Sequence, residues 1–456
     1  YVEEMGWNWD RQRPLAMGEM TFFSGKNADH AWIGGDKVFE GRYFAKRAYA
    51  KFVNLLLEAY RWNDVAILCP WMGMDNFPEC WKTLSPLAAF VREQNWRFFS
   101  GDKVERTVKI FNDTLSSKPI KFSWQVQIGE KKIAGEEITL NIEPGFGKEM
   151  KISFSLPKVD KKTIAKLTLS VSQEGEKGFQ DVKIFSIFPP IKAISIKHPL
   201  YVYPIDNKLI DFLKKWGISP KPISLLDEVK NFPSILIISP NSLSSDIANS
   251  DFLSGLMMKG ARIICLEQKN PIKMVGSLSL KLTQHKASYN FPLGAFSQIF
   301  SHLEQEDFSN WAGASHTAEY VWEKPTGGAR SLVVCGPGLD LASLVEIPFG
   351  KGVLLASQLK IGGKLEIEPS AQVLFANLLK YADSYQPSEK RLFAYVSENK
   401  LNFLKSNGYK IEEVKSLSDA LSQTSAVLIV EADKGRLGEL LANKGKVEDF
   451  VNKGSS

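Results

Sequence analysis

The segment Arg13-Pro14-Leu15-Ala16-Met17-Gly18-Glu19-Met20 decides how the rest of the chain is interpreted. Its short apolar run, residues 15–17, predicts a buried strand that is bounded by a proline and a glycine. The run is followed by one carboxylate, Glu19, at the carboxyl end of the strand. In a barrel of parallel strands this end carries the chemistry, which makes Glu19 a candidate catalytic residue. On this segment alone, an ordinary surface acid after a buried strand is an equal alternative.

A second strand follows one helix later. Residues 24–41 have the polar, glycine-containing composition of a loop, and residues 42–60 repeat apolar side chains every three or four positions, as an amphipathic helix does. The all-apolar run 65–69 predicts a strand that is buried on both faces. This strand is followed directly by Pro70-Trp71. If the two strands are parallel neighbours, Glu19 and Trp71 lie on the same face.

Length and composition describe a large globular protein. The chain has 456 residues, which predicts about three domains, and its 44% hydrophobic and 24% charged residues are typical of globular proteins. No apolar run approaches the ~18 residues that span a membrane. The net charge of +6 is spread thinly, without a basic run or an aromatic-basic stripe. We therefore expect neither nucleic acid nor a membrane as a partner.

The cysteines and histidines do not form a metal or disulfide pattern. The four cysteines, Cys69, Cys80, Cys265 and Cys335, are scattered, and the sequence holds no C-x-x-C or H-x-x-x-H motif. We expect buried free thiols, including Cys69 and Cys80. No G-x-G-x-x-G motif follows the predicted strands 200–203 and 235–238, which argues against a dinucleotide. The sequence therefore predicts no metal and no cofactor.

From residue 96 the apolar period changes to two. Six alternating runs between residues 104 and 188 each stop at a turn signal. This pattern predicts an antiparallel immunoglobulin-like β-sandwich over residues 96–190, with Trp124 in its core. We expect packing and spacing as its role, because no cluster of exposed aromatic residues suggests carbohydrate binding.

Residues 191–387 alternate short buried strands with helices, which predicts a doubly wound parallel α/β domain. Its first strand, Leu200-Tyr201-Val202-Tyr203, recurs as Leu392-Phe393-Ala394-Tyr395, about 192 residues later, and 235–238 recurs as 427–430. A second α/β domain is therefore expected over residues 388–456, truncated after its first βαβ unit. Because one such unit cannot cover both faces of its sheet, we expect poor packing beyond about Asp433.

The first segment also resembles a known enzyme family. The pattern P-L-x-x-G-E, then a helix with Glu-Ala-Tyr-Arg at 58–61, then an apolar strand ending in Pro-Trp, is similar to the last two barrel strands of retaining glycoside hydrolases. The similarity is to family 2, the β-galactosidase, β-mannosidase and β-glucuronidase group within the clan of (β/α)8 enzymes. It implies that residues 1–95 are the C-terminal part of the barrel, that Glu19 is the nucleophile, and that Trp71 floors the sugar subsite.

The resemblance also implies a partner for Glu19 outside this sequence. In that clan the acid/base is a Glu preceded by Asn at the end of the fourth barrel strand, which would lie upstream of Tyr1. A retaining glycosidase holds its two carboxyl groups ~5 Å apart, so one without the other does not complete the reaction. We therefore expect a fragment of a longer enzyme, inactive by itself.

Three further residues are assigned with their alternatives. The face of the Trp71 indole suits the C–H face of a sugar, although a core aromatic is an equal alternative. Asp75 and Asn76, in the loop after Trp71, could bond sugar hydroxyls. Capping of their own loop is the commoner role for these two residue types, and we give it more weight.

The later segments resemble accessory domains of the same enzymes. Phe99-Ser100-Gly101-Asp102 and Phe111-Asn112-Asp113 resemble the immunoglobulin-like domain that follows the barrel in family 2. Residues 350–382 resemble the glutamine-amidotransferase-like, flavodoxin-like domains of several β-galactosidase-type hydrolases. An active amidotransferase needs a cysteine on a strand-to-helix elbow with flanking glycines. Cys265 lacks the glycines and Pro337 interrupts the turn after Cys335, so we expect a non-catalytic domain.

Three functions therefore remain open. The preferred one is hydrolysis of β-glycosidic bonds in a β-galactoside- or β-mannoside-type oligo- or polysaccharide, by retaining double displacement. The second is non-catalytic, with the sandwich and the α/β domains serving homo-oligomerisation or carbohydrate binding. The third is an amidotransferase-type hydrolase that acts through Cys265 or Cys335. Secreted, periplasmic and cytoplasmic locations all fit the sequence, and neither the sugar nor the linkage can be named from it.

Overall fold

The computed structural model describes residues 13–19, 23–69, 80–274, 279–294, 298–313, 316–326, 328–387, 391–407, 409–423 and 426–452. The chain divides into two compact units, Tyr1–Tyr385 and Gln386–Ser456. Helices and several separate sheets make it a multidomain mixed α/β protein. Within the described ranges, no sheet closes into a barrel. None of the described helices is long and apolar enough to cross a membrane.

The first segment is a pair of short strands joined through a long helix. Its elements are β1 (Ala16–Glu19), α1 (Ala31–Gly34), α2 (Arg42–Trp62) and β2 (Ile67–Cys69). β1 and β2 pair in parallel, as expected for neighbouring strands of a β/α unit. One face of α2 is buried at positions four residues apart, among them Ala45, Tyr49, Val53 and Leu57. This face belongs to a core that also contains Phe291 and Leu339.

The strand pair is less buried than its apolar sequence predicts. Ile67 is 58% exposed and Cys69 is also exposed, whereas Cys80 is buried. Burial of β2 on both faces and burial of the Cys69 thiol are therefore wrong predictions. An all-apolar run is typical of a strand whose sheet is covered on both faces. In the described residues, however, two strands and one helix leave part of this sheet uncovered.

Residues 87–188 form a two-sheet sandwich. Its strands are β3 (Leu87–Val91), β4 (Arg97–Phe99), β5 (Lys103–Asn112), β6 (Ile120–Ile128), β7 (Lys131–Leu140), β8 (Phe146–Ser155), β9 (Thr163–Gln173) and β10 (Phe179–Phe188). One sheet has the order β3-β5-β8 and the other β4-β10-β9-β6-β7. All pairs are antiparallel except β4 with β10. The first strand, β3, precedes residue 96, where the sequence predicts that the sandwich begins.

A single core fills the space between the two sheets. Alternate residues of β6, including Phe122 and Trp124, point into this core, and Trp124 is only 6% exposed. Its ring centroid lies 6.0 Å from that of Phe154 on β8, so the two aromatic rings join the opposing sheets. The predicted place of Trp124 in the core is confirmed.

The next segment is built on one ten-stranded sheet. Its elements are β11 (Leu200–Tyr203), α3 (Asn207–Lys215), β12 (Lys221–Pro222), β13 (Ser234–Ile238), α4 (Ser245–Ala248), α5 (Phe252–Lys259), β14 (Ala261–Cys265), β15 (Ile272–Lys273), β16 (Ser279–Leu280), β17 (Leu282–Thr283), β18 (Phe291–Pro292), β19 (Val321–Glu323), β20 (Arg330–Cys335), β21 (Leu341–Phe349), β22 (Gly352–Ser357), α6 (Ile361–Lys364) and α7 (Pro369–Ser384). The main strand order is β12-β11-β13-β14-β22-β21-β19-β17. The short strands β15 and β16 pair with each other outside this sheet.

Only half of this sheet is parallel. β12, β11, β13, β14 and β22 run parallel, whereas β21 is antiparallel to β22, β20 and β19. The prediction of a parallel sheet throughout is therefore corrected. β21 and β22 are separated only by Gly350 and Lys351, and so short a connection joins antiparallel neighbours.

Arg97 ties the sandwich to the α/β segment. It lies on β4, and its Nε donates to Glu368 Oε1 at 2.8 Å, at the N-terminus of α7. Its Nη2 donates to the carbonyl oxygens of Ser309 at 2.6 Å and Asn310 at 2.7 Å. Both charged side chains are buried, so the pair fixes these two parts of the first unit against each other.

The second unit repeats the start of the ten-stranded sheet. Its elements are β23 (Arg391–Tyr395), α8 (Glu398–Ser406), β24 (Ile411–Glu413), α9 (Leu417–Leu421), β25 (Ala426–Val430), α10 (Lys434–Ala442) and α11 (Lys444–Asn452). The parallel order β24-β23-β25 matches β12-β11-β13. Leu392 pairs with Val427 just as Leu200 pairs with Ile235, which agrees with the predicted repeat. No residue of α10 is buried, and α11 buries only Phe450, as expected beyond Asp433.

Candidate functional site

Glu19 is the last residue of β1 and lies opposite Cys69 in the parallel pair with β2. The register shifts between Met17 and Glu19, which marks a local irregularity at this end of the strand. Because the two strands are parallel neighbours, their carboxyl ends meet at one edge. Glu19 and Cys69 therefore end neighbouring strands side by side, and the parallel pairing is the arrangement that the sequence predicts.

The other candidate residues follow β2 in the sequence. Trp71, Asp75 and Asn76 lie outside the described residues, because the description stops at Cys69 and resumes at Cys80. For Glu19 the structure describes the backbone in β1 and not the side chain. The structure thus brings together the two strand ends, and the assigned side-chain roles stay predictions.

The loop after β1 contains a buried histidine that the sequence did not single out. The ring of His30 stacks on Phe23 at 4.8 Å between centroids and meets the edge of Tyr49 of α2 at 5.4 Å. Burial lowers the pKa of His30, against the opposing effect of Asp29, so the imidazole is favoured in its neutral form. This aromatic cluster holds the loop that follows β1 against the helix. The polar, glycine-containing composition of residues 24–41 does not predict this aromatic cluster.

The two candidate thiols of the α/β segment are poor nucleophiles. Cys265 ends β14 and Cys335 ends β20, and both are buried free cysteines. Burial raises the pKa of both thiols, that of Cys335 to about 12. Since the thiolate is the reactive form, neither thiol is suited to attack a substrate near neutral pH. This environment agrees with the structural role expected for them.

Among the described side chains, no group of three or more His, Cys, Asp and Glu residues is placed to hold a metal ion.

Comparisons with family models and with curated proteins find no match. Solved structures with partial likeness include Spo0M, a sporulation control protein from Bacillus subtilis, at 14% identity and a TM-score of 0.17 over 23% of this chain. A "putative beta-galactosidase" from Bacteroides fragilis is similar at 14% identity and a TM-score of 0.18 over 40% of this chain. The match covers 50% of the first structure and 28% of the second.

A superoxide reductase (neelaredoxin) from Ignicoccus hospitalis is similar at 9% identity and a TM-score of 0.16, over 23% of this chain and 82% of that structure. All three TM-scores are far below 0.5, so we draw no conclusion about fold or function from these likenesses.

Proposed function

We propose that β1, α2 and β2 are a β/α unit of a retaining β-glycoside hydrolase and that Glu19 is its nucleophile. One observation carries this proposal: Glu19 stands at the carboxyl end of β1, next to the carboxyl end of the parallel strand β2. In parallel barrels the catalytic groups come from these strand ends. In the sequence β2 is followed directly by Pro70-Trp71, and we propose that Trp71 serves as the aromatic residue of the site.

In the proposed reaction Glu19 attacks the anomeric carbon of a β-glycoside and forms a covalent glycosyl ester. The glycosidic C–O bond breaks as a second carboxyl group protonates the leaving oxygen. That group then removes a proton from water, which releases the sugar with retained configuration and regenerates Glu19. Trp71 would support the sugar ring, and Asp75 and Asn76 would hold the loop or bond hydroxyls. A β-galactoside- or β-mannoside-type oligo- or polysaccharide is the proposed substrate.

The remaining segments take accessory roles in this proposal. We infer an immunoglobulin-like type for the sandwich, supported by its two packed sheets, in which all strand pairs except the edge pair β4 and β10 are antiparallel. We infer a flavodoxin-like, non-catalytic type for the α/β segment. It is supported by the order β12-β11-β13-β14-β22, which is that of a doubly wound sheet, and by the buried thiols.

The test is hydrolysis of 4-nitrophenyl β-galactoside, β-mannoside and β-glucuronide by the complete natural polypeptide that contains residues 1–456. Glu19→Gln is expected to lower kcat by several orders of magnitude, because the carboxylate forms the covalent bond. Glu40→Gln, at an exposed position after α1, is the matched control and should leave kcat unchanged.

A second variant separates a chemical from a structural role. Glu19→Ala with added azide should regain activity and yield a glycosyl azide of inverted configuration, because the small anion replaces the missing nucleophile. Full activity of Glu19→Gln, or an inactive Glu19→Ala that azide does not rescue although the protein is folded, would contradict the assignment.

A further inference from the structure

The turn that leads from helix α2 into strand β2 lies against the sandwich. α2 ends at Trp62 and β2 begins at Ile67, so only residues 63–66 connect the two elements. At the end of this turn the amide of Ala66 donates to the carbonyl oxygen of Leu15, directly before β1, at 2.9 Å. The conformation of so short a connection therefore decides where β2 meets β1.

Lys109 of β5 binds this turn from the sandwich. Its side chain is only 6% exposed, although it carries a charge. Its Nζ donates to the carbonyl oxygen of Trp62 at 2.8 Å and to Asp64 Oδ1 at 2.5 Å. The first bond satisfies a carbonyl group at the C-terminus of α2, where a cation also meets the negative end of the helix dipole. One buried lysine thus holds both the last residue of the helix and the middle of the turn.

The backbone of Asp64 explains why the turn depends on this contact. Its φ is +61°, in the left-handed region that residues other than glycine rarely adopt. Asp and Asn tolerate this region better than most residue types, because their short polar side chains can form hydrogen bonds there. In this turn the carboxylate accepts a hydrogen bond from Lys109. A side chain of another segment therefore stabilises the unusual conformation.

Arg61 adds a second attachment, one residue before the helix ends. Its Nη2 donates to Asp113 Oδ2, just after β5, at 2.8 Å, and its Nη1 donates to the carbonyl oxygen of Thr83. The guanidinium carbon lies 4.8 Å from the ring centroid of Phe111 on β5 and 5.2 Å from that of Phe90 on β3. A buried guanidinium with these hydrogen bonds and aromatic contacts has a fixed position. The last turn of α2 is therefore anchored to β5 and its neighbours.

We propose that Lys109 is a positioning residue for the strand edge that carries Glu19. It fixes the turn between α2 and β2 against the sandwich, and the turn sets the register in which β2 pairs with β1. Glu19 lies opposite Cys69 in that register. The sandwich thereby takes part in the proposed site and is more than a spacer. The kinetic consequence rests on the function proposed for Glu19, whereas the structural consequence does not.

Hydrogen exchange in the complete natural polypeptide that contains residues 1–456 tests the structural consequence. Lys109→Met keeps an aliphatic stem and removes the ammonium group, so amides of residues 66–69 should exchange at least tenfold faster than in the wild type. Lys151→Met, at an exposed lysine of β8 that pairs with Glu105, is the matched control and should leave this exchange unchanged. Unchanged exchange in Lys109→Met, or the same acceleration in Lys151→Met, would overturn the proposal.

A second variant distinguishes a local effect from a general loss of folding. Asp64→Asn keeps an oxygen acceptor and the tolerance for positive φ, and it removes only the charge. Because Asp64 is half-exposed, exchange of residues 66–69 should rise only about threefold. Amides of β6 should keep wild-type protection in both variants. Acceleration that reaches β6 equally in both variants would contradict the proposal.

Kinetics of the same variants test the consequence for Glu19. On the 4-nitrophenyl glycoside that the wild type hydrolyses, Lys109→Met should lower kcat at least tenfold and change KM less than threefold, because a displaced strand end misplaces the nucleophile. Lys151→Met should keep both constants. A wild-type kcat in Lys109→Met would overturn the positioning of Glu19. If the wild type hydrolyses none of the glycosides, the function proposed for Glu19 fails, and the exchange experiment alone decides the role of Lys109.

Discussion

At the scale of single residues, the carboxyl group of Glu267 has a strongly perturbed pKa. Glu267 follows β14 at the carboxyl edge of the parallel strands. Burial raises its pKa to about 7, although backbone groups including the amides of Gly362 and Gly363, together with Lys360, act in the opposite direction. A carboxyl group that holds its proton near neutral pH makes the stability of the first unit depend on pH.

The sign of this dependence follows from the two pKa values. Between the ordinary value of 4.5 and about 7, the folded chain keeps a proton on Glu267 that the unfolded chain has lost. The contribution of Glu267 to the free energy of unfolding is therefore fully present below pH 4.5 and falls as the pH rises through 7. We expect a loss of about 3 kcal/mol across this window, at about 1.4 kcal/mol per pH unit.

Urea unfolding at pH 5 and pH 8 measures this loss. Relative to Glu267→Gln, which cannot ionise, the wild type should be less stable at pH 8 than at pH 5. Glu323→Gln, at an exposed position of β19, controls for the substitution itself. A stability difference between wild type and Glu267→Gln that is the same at both pH values would contradict the prediction.

At the scale of secondary structure elements, the turn between β21 and β22 decides where the sheet changes from parallel to antiparallel. Gly350 has a φ of +58°, and a Cβ added there would lie 2.7 Å from Met258 Cα of α5. Gly129, in the turn between β6 and β7, has nearly the same φ of +57° but open space around it. Comparing the destabilisation caused by alanine at the two positions therefore distinguishes the cost of backbone strain from the cost of a steric clash with α5.

Both substitutions to alanine are expected to destabilise the first unit. Gly129→Ala should cost about 1 kcal/mol, because only the left-handed conformation is unfavourable for alanine. Gly350→Ala should cost about 2 kcal/mol more, because α5 must also move away from the hairpin. Urea unfolding at one pH gives both values, and equal costs would show that the contact with α5 does not constrain the turn.

The same hairpin shows what a sequence conveys about an element and what it does not. The period of two in residues 104–188 predicts the sandwich strands well, because one side of each strand meets the core and the other meets solvent. The all-apolar runs of the α/β segment predict strands, but they do not indicate whether a strand runs parallel or antiparallel to its neighbours. The parallel sheet predicted for residues 191–387 therefore gives β20 the wrong direction, and no sequence pattern predicts β21.

The sequence likewise predicts some features of the candidate site and not others. Gly18-Glu19 after an apolar run predicts an acid at a strand end, and the next apolar run predicts β2, which pairs with β1 in parallel. The exposure of Ile67 and the packing of His30 against Tyr49 depend on contacts between distant segments. Local periodicity does not encode such contacts, so both were missed.

At the scale of the whole molecule, the two units differ in the size of their cores. Among the described residues of Gln386–Ser456, the buried apolar side chains are few, namely Phe393, Ala394, Leu401, Leu417, Ala420, Ala426 and Phe450. The two largest clusters of the first unit each contain more than twenty residues. A small core leaves little free energy to offset the conformational entropy of folding. The second unit should therefore open more often than the first.

Hydrogen exchange followed by mass spectrometry tests this expectation strand by strand. Amides of β23 and β25 should exchange at least a hundredfold faster than those of β11 and β13, their counterparts in the repeat, because opening of the small unit costs less. β23 and β11 are each flanked by two parallel strands, so this comparison controls for local pairing and is the decisive one, whereas β13 also pairs with β14 and β25 is an edge strand among the described strands. Equal protection in both pairs of strands would contradict the prediction.

We propose that Glu19 forms a covalent bond to the sugar, and trapping of that bond is the most direct test. The complete natural polypeptide is incubated with 2,4-dinitrophenyl 2-deoxy-2-fluoro-β-glycosides of galactose, mannose and glucuronic acid. The good leaving group allows the first step, and the fluorine slows hydrolysis of the ester. Peptide mass mapping should then find one fluoroglycosyl group on Glu19. A label on a different carboxylate, or hydrolytic activity that is not accompanied by a label on Glu19, would contradict the assignment.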